Sequence, residues 1–341
     1  MLTSPHGAPI VNTQMLIFFA LLLTFPFWAE PIGLYQYIGV EIAIFMLYAL
    51  GFNLLLGYTG LPSFGHGAFL GVGAYAYGHW QLAGFPNVFA GLLAAMLAAA
   101  IAAGIVALFL SHRRGIYFAL MTIAFGQIFW FLAIKLRGIT GGEDGLLNIL
   151  RPEIDFGVTS VDLGSNVALF YLVAALLITV ILILWRVVHS PFGTALQAIR
   201  MNEMRARFAG HRVWLIKWSV FTLSGAVAGL AGGLLCITQE SAYPDVMSLH
   251  ASGFVVMMTL IGGGFVSFWG PVVGAIVFIL ARDVMGAATE TWLLWYGLLF
   301  MAVMWFEPEG VVGVWRKIEA RFWRKPLDAP VVEAPKREAV L

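Results

Sequence analysis

Charge-free apolar runs of about twenty residues recur along the chain, at Val88 to Leu110, Gly115 to Ile134, Val167 to Trp185 and Trp218 to Ile237. A helix of that length crosses a hydrocarbon core of ~30 Å, and it satisfies its own backbone there as no open structure does. The pattern therefore predicts four membrane-spanning helices. Ile10 to Ala29 and Ile32 to Leu56 predict two more, the second carrying Glu41, while Thr291 to Phe306 is a shorter run between Glu290 and Glu307. Trp28, Trp185, Trp214, Trp292 and Trp305 fall near run ends, where amphipathic rings favour the headgroup layer.

Two stretches depart from simple helices. Gly57 to Gly78 holds seven glycines, and the charge-free run Val246 to Ala281 holds Gly262, Gly263, Gly264 and then Gly270 with Pro271. Glycine clusters and proline interrupt helices. Gly60-Leu-Pro-Ser63-Phe64 in the first stretch matches Gly264-Phe-Val-Ser267-Phe268 in the second, which suggests a diverged internal repeat. Two readings stay open here. Paired broken helices line a substrate route at the middle of the membrane in many transporters, whereas small residues also simply let helices pack closely.

Composition narrows the class. The 341 residues are 61% hydrophobic and 11% charged, with a mean hydropathy of +0.89, against roughly 25% charged in soluble domains. A soluble enzyme is excluded, and a single membrane-embedded unit leaves no room for a separate globular domain. A net charge of +1 argues against nucleic acid, which needs a concentrated basic face. Cys236, the single cysteine, lies in an apolar run and reads as a buried small hydrophobe. Met1 to Gln14 carries no Lys or Arg, so the first run is expected to be a retained span rather than a cleaved signal. The expected organisation is an N-terminal segment at 1–14, a membrane domain at 15–306 containing a loop at 189–213, and a tail at 307–341 that reads as disordered after Lys325.

Charge distribution gives sidedness. Arg113 and Arg114, the group from Arg186 to Lys217, and the tail from Arg316 to Arg337 hold fifteen of the nineteen basic residues, which places these three regions in the cytoplasm. The loop from Gly138 to Asn166 carries Glu143, Asp144, Glu153, Asp155 and Asp162 against Arg151 alone, and is expected outside.

Between the spans ending at Trp185 and starting near Trp214, Phe192, Leu196 and Ile199 recur at helical spacing with Gln197, Arg200, Arg205 and Arg207 on other faces. This predicts a short amphipathic helix from Ser190 to a stop at Gly210. Such a helix can lie on anionic lipid or dock on a partner. Ser190-Pro-Phe-Gly193, Ala198-Ile-Arg200 and Asn202-Glu203 followed by Ala206 and Gly210 resemble the cytoplasmic loop of the branched-chain amino acid ABC importer permeases, the LivH/LivM permease family. The resemblance continues in Gly57-Tyr-Thr-Gly60, Ser63-Phe-Gly-His66-Gly-Ala-Phe69, Gly71-Val-Gly73-Ala-Tyr75, Ser224-Gly-Ala-Val-Ala-Gly229-Leu-Ala-Gly232, Ile261-Gly-Gly-Gly264 with Gly270-Pro271, and Glu307-Pro308-Glu-Gly310. It spans about Gly51 to Gly313 in the same order.

That resemblance implies an all-α polytopic bundle in the cell's inner membrane, with broken or re-entrant glycine-rich helices and a cytoplasmic coupling helix. It implies four partners besides lipid: a second homologous permease, two cytoplasmic ATPases, and an extracytoplasmic substrate-binding protein. ATP is then used by the partners, and no cofactor is expected on this chain, which has no Gly-x-x-x-x-Gly-Lys-Ser/Thr loop. Coupling to the ATPase would fall to Phe192, Leu196 and Ile199 as apolar contacts, to Arg200 and Glu203 as positioning groups, and to Asn202, Ala206 and Gly210 within the motif. Arg205, Arg207, Phe208, His211 and Arg212 make this helix more basic and bulkier than the family pattern.

Candidates for the pathway are Glu41, Gly60, Ser63, His66, Gly71, Gly262, Gly264 and Ser267. Freed backbone groups at Gly57 to Gly73 and Gly262 to Gly270 would meet the two charges of an amino acid without a buried side-chain charge. Glu41 costs roughly 2.5 to 3.5 kcal/mol in a span, so it marks either a pathway or an anchor to Asn53 or a neighbouring helix. His66 reads as a packing residue or a pathway group, and Arg282 and Asp283 as interfacial. Three rival functions remain: the same fold importing urea, short amides or other small polar acids; an ion-coupled secondary transporter using Glu41; and a membrane hydrolase using Ser63, whose surroundings lack the Gly-x-Ser-x-Gly elbow.

Overall fold

The computed structural model describes residues 13–29, 31, 33–85, 87–155, 160–265, 267–307 and 309–323. The start of the first expected span at Ile10 and the disordered tail expected after Lys325 lie outside the described residues. Among the described residues six helices are long and apolar enough to cross a membrane. They are α2 (Gln36–Asn53, continued by a π-helical turn, Leu54–Thr59), α4 (Val88–Leu110), α5 (Gly115–Lys135), α7 (Asn166–Val188), α10 (Val213–Gln239) and α12 (Gly270–Ala288). The bundle is completed by α1 (Thr13–Ala29), α3 (Gly67–Leu82), α11 (Leu249–Gly262) and α13 (Trp292–Phe306). The one-turn α6 (Arg137–Thr140) lies at the end that carries the acidic loop, and α8 (Pro191–Met201), α9 (Glu203–Phe208) and α14 (Gly310–Trp323) lie at the opposite end, which the clustered basic residues assign to the cytoplasm.

Local chemistry sets the boundaries. The side chains of Asn87, Ser165 and Ser248 cap the first turns of α4, α7 and α11 by accepting from the backbone N–H of Ala90, Ala168 and Ala251, and Pro271 sits in the first turn of α12, where its missing N–H is harmless. The second span starts later than the apolar run, at Gln36, and ends at Thr59 because the backbone loosens into a π-turn before Gly60. Among the described residues up to Leu110, four helices are present. Phe18 of α1 packs on Trp269 at the cytoplasmic start of α12, with ring centroids 5.2 Å apart, and Phe25 stacks on Phe170 at the outer start of α7 at 5.1 Å. Thus α1 runs outward.

The centre of the bundle is α2 and α10, whose apolar windows are 89% and 83% buried, against 28–44% for the other four long helices. Small residues make this possible. Gly225, Gly229 and Gly232 of α10 face Ala103, Ala99 and the Leu70 carbonyl with no room for a Cβ, and Gly73 of α3 lies directly on Gly229. Cys236 is buried and free, as its apolar setting implied.

On the outer side a short antiparallel hairpin, β1 (Glu153–Asp155) and β2 (Ser160–Asp162), pairs Glu153 with Asp162 and Ile154 with Val161. It is a small addition to the expected all-helical chain. Arg151 fixes this cap: it donates to the Asn166 side chain and to the Thr238 carbonyl, each at 3.0 Å, and pairs with Glu240 at 3.1 Å. Arg282 and Asp283, read from sequence as interfacial, are each partnered. Arg282 pairs with Glu41 at 2.6 Å, and Asp283 accepts from the Tyr35 hydroxyl. That hydrogen bond pushes the Tyr35 phenol up to about 12.

Candidate functional site at the cytoplasmic helix breaks

The two glycine-rich stretches both break at the cytoplasmic side. The first leaves its π-turn at Gly60, where φ is +71°, and Leu61 N–H then bonds back to the Leu55 carbonyl at 2.9 Å. At the second break, α11 ends on Gly263 with φ +86°, and Gly264 N–H bonds back to the Thr259 carbonyl at 2.8 Å. These left-handed positions suit glycine because it lacks a Cβ. The breaks touch: Gly57 faces the Gly264 carbonyl, and Asn53 fills the angle between them. Asn53 is 1% exposed, and among the described residues neither its amide oxygen nor its amide nitrogen has a hydrogen-bond partner.

Below the breaks lies the loop at 189–213, and it is two helices rather than the single one expected. Ser190 caps α8, with Pro191 in its first turn; the chain then extends at Asn202 (φ −163°, ψ 106°), whose side chain caps α9 by accepting from Arg205 N–H at 3.0 Å. The Asn-Glu pair is thus a second helix start, and Gly210, with φ +88°, is the stop. Leu196 and Ile199 are buried, at 0% and 5% exposure, so they hold α8 on the bundle and are not free to meet a partner as expected. Phe192 also packs against the core, and Ala206 is buried with Ile199 and Val213. The apolar groups left outside are Met201, Met204 and Phe208.

Arg200 points inward. One of its guanidinium nitrogens donates to the carbonyls of Gly57 at 2.5 Å and Phe265 at 3.1 Å, and the guanidinium lies 4.9 Å from the centre of the Phe265 ring. A single side chain on α8 therefore holds both breaks. Glu203 makes a second tie. Its carboxylate lies 3.5 Å from Lys217 Nζ, a lysine only 1% exposed, which also donates to the Arg113 carbonyl at the end of α4. Between α8 and the breaks opens a cleft of about 420 Å3 lined by Gly57, Tyr58, Gln197, Arg200, Met201, Gly264, Phe265, Ser267 and Phe268.

The family described as "Branched-chain amino acid transport system / permease component" matches residues 34–306. The chain belongs to this family. The permease is 30% identical to the high-affinity branched-chain amino acid transport system permease protein LivM of Salmonella typhimurium over 304 residues, which is 80% of this chain and 68% of that protein. It is also 30% identical to the protein of the same name from Escherichia coli over 297 residues, with the same coverage. Against the probable branched-chain amino acid transport permease protein LivH of Methanocaldococcus jannaschii the identity is 27% over 302 residues, 81% of this chain and 91% of that one. No solved structure matches the permease.

The permease brings some of the expected pathway residues together and scatters others. Gly264 and Ser267 line the cleft, Gly60 lies against the Arg200 side chain, and Gly262 ends α11 against Gly270. Gly71 lies inside the regular helix α3, wedged against Met247, so Gly67 to Gly73 frees no backbone groups. Ser63 and His66 are both 0% exposed. His66 Nε2 lies 3.1 Å from Ser224 Oγ, which donates to the Gly51 carbonyl, and the ring is enclosed by Tyr48, Phe52, Phe69 and Phe221. Since Ser224 spends its proton on Gly51, His66 must donate through Nε2, which is packing chemistry; no hydrogen bond joins it to Ser63, and the hydrolase reading loses its base. Glu41 is anchored to a neighbouring helix by Arg282, not to Asn53. Among the described residues no cluster of three or more His, Cys, Asp or Glu is placed to hold a metal. Sequence reading overlooked Phe265, Gln197 and Lys217; only Lys217, a lone cation just inside an apolar run, left a signal.

Proposed function

We propose that this permease imports branched-chain amino acids by alternating access, paired with a second homologous permease, driven by two cytoplasmic ATPases and supplied by an extracytoplasmic binding protein. Family membership supports the cargo and the assembly. The observation that carries the mechanism is the pair of hydrogen bonds that Arg200 donates to the Gly57 and Phe265 carbonyls. ATPase closure acts on the exposed Met201, Met204 and Phe208; α8 moves, and Arg200 pulls on both breaks at once. Because the breaks turn on left-handed glycines rather than on continuous helix, they yield with few hydrogen bonds lost. Glu203 and Lys217 carry the same motion to the α4–α5 turn. Peptide groups released at the breaks are the polar surface that an amino acid's carboxylate and ammonium need.

The test is uptake of leucine into vesicles holding the complete complex, with ATP hydrolysis measured in parallel. Arg200→Ala is expected to lower leucine moved per ATP by about tenfold, the equivalent of one charge-assisted hydrogen bond, while ATPase subunits still co-purify. Unchanged stoichiometry in Arg200→Ala, or uptake that follows a proton or sodium gradient instead of ATP, overturns the reading.

A further inference from the structure

Polar side chains inside the long spans are held by the chain itself. Glu41 pairs with Arg282 and Lys217 with Glu203, and the hydroxyls of Thr122, Thr179 and Thr222 donate to carbonyls one turn back in their own helices. Asn53 is enclosed where the two breaks meet. Gln127 in α5 is neither paired nor enclosed: it is half-buried, and among the described residues no hydrogen bond reaches its amide. Its depth makes this costly. At 1.5 Å per residue it lies about 18 Å from the start of α5 at Gly115 and about 12 Å from the end at Lys135, too far inside a ~30 Å core for a short amide to reach either headgroup layer. An amide there needs a polar neighbour that the chain does not supply.

The neighbourhood of Gln127 is tied to the first break. Gly65, just past the hinge at Gly60, packs on the Thr122 carbonyl and on Gly126 with no room for a Cβ, and Phe64 N–H donates to the Thr122 hydroxyl at 3.1 Å. The chain leaving the hinge is thus fixed to the turn of α5 that ends at Gln127. Successive side chains on a helix point about 100° apart, so Gln127 projects to one side of this contact. Phe125, which meets Phe109 of α4 with ring centroids 5.8 Å apart, points to the opposite side. The amide therefore stands beside the break loop, at the edge of the apolar outer stripe of Leu120, Ile128 and Phe131. A group so placed changes its surroundings whenever the hinge moves. An amide also serves both ends of a zwitterion, its N–H donating to a carboxylate and its oxygen accepting from an ammonium.

We propose that Gln127 lines the transport route and hydrogen-bonds the charged groups of the amino acid at mid-membrane. This rests on the import reading above and adds a side chain to a route built there from backbone alone. Gln127→Cys and Ile128→Cys, the latter a control at a position 51% exposed on the outer stripe, are made in a Cys236→Ala background and assembled as the complete complex in vesicles. A cationic, membrane-impermeant methanethiosulfonate is expected to label Gln127→Cys, at rates that differ between nucleotide-free and nucleotide-trapped complex, and labelling is expected to slow under saturating leucine-loaded binding protein. Ile128→Cys is expected to stay unlabelled, because a thiol in hydrocarbon does not ionise. Gln127→Leu, which keeps the bulk and removes the amide, is expected to lower leucine moved per ATP about tenfold, the worth of one hydrogen bond to a charged group. Gln127→Cys as inert as Ile128→Cys overturns the proposal, as does labelling that leucine never slows. So does an oxidative cross-link from Gln127→Cys to the second permease in place of labelling, which would make the amide a subunit contact. These outcomes, in a complex that imports leucine, count against Gln127 alone; wild-type vesicles that move no leucine on ATP overturn the import reading and this assignment with it.

Discussion

At the scale of single residues, the glycines sort into hinges and packing surfaces by what a methyl group would meet. In α11, Gly253 has open space around its missing Cβ, whereas Gly262 faces the Gly270 carbonyl. Gly253→Ala is expected to stabilise by about 0.5–1 kcal/mol through helix propensity, and Gly262→Ala to destabilise by about 1–3 kcal/mol through overpacking; thermal melts in detergent compare the two. Asn53 presents the opposite case, a buried amide with no bond to either end among the described residues. Asn53→Leu is expected to raise stability by about 1–2 kcal/mol, since an unpaired buried amide costs that much, and to slow uptake, because the amide sits where the breaks must reorganise. A variant that is both more stable and fully active would remove Asn53 from the mechanism.

At the scale of elements, the loop at 189–213 is the informative case. Its amphipathic period was legible, as was its stop at Gly210, but the period alone joined α8 and α9 into one helix. The break is written in Asn202-Glu203, an N-cap with an acidic first turn, and that signal was absorbed by the family motif instead. The family resemblance pointed Leu196 and Ile199 at a partner, and the period could not correct it, because an apolar stripe does not say which side of the helix its partner lies on. Long spans were legible wherever charge was absent; Val213 to Lys217 was not, since the cost of Lys217 is offset only by Glu203 and the Arg113 carbonyl, far away in sequence. Asn202→Ala is expected to cost α9 about 1 kcal/mol and to uncouple ATP hydrolysis from uptake more than it lowers the melting temperature. Exchanging Glu203 and Lys217 as a pair is expected to recover part of the coupling that either reversal alone destroys, a double-mutant cycle read in leucine moved per ATP.

At the scale of the whole molecule, a nearly buried pair, α2 and α10, is sheathed by helices whose outer faces are apolar. The Glu41–Arg282 pair closes this assembly between α2 and α12, and removing one partner of this part-buried pair leaves the other charge uncompensated. Its two members are 241 positions apart, which has a consequence for synthesis. The ribosome delivers the carboxylate first, and at 5–20 residues per second the guanidinium emerges roughly ten to fifty seconds later. During that interval the nascent chain holds an uncompensated acid within the bilayer, a natural mark for quality-control proteases. Chains stopped after Ala281 are therefore expected to be cleared rapidly in pulse-chase labelling. The same truncation carrying Glu41→Gln is expected to persist, so the arrival of Arg282 is the moment at which the newborn protein escapes degradation.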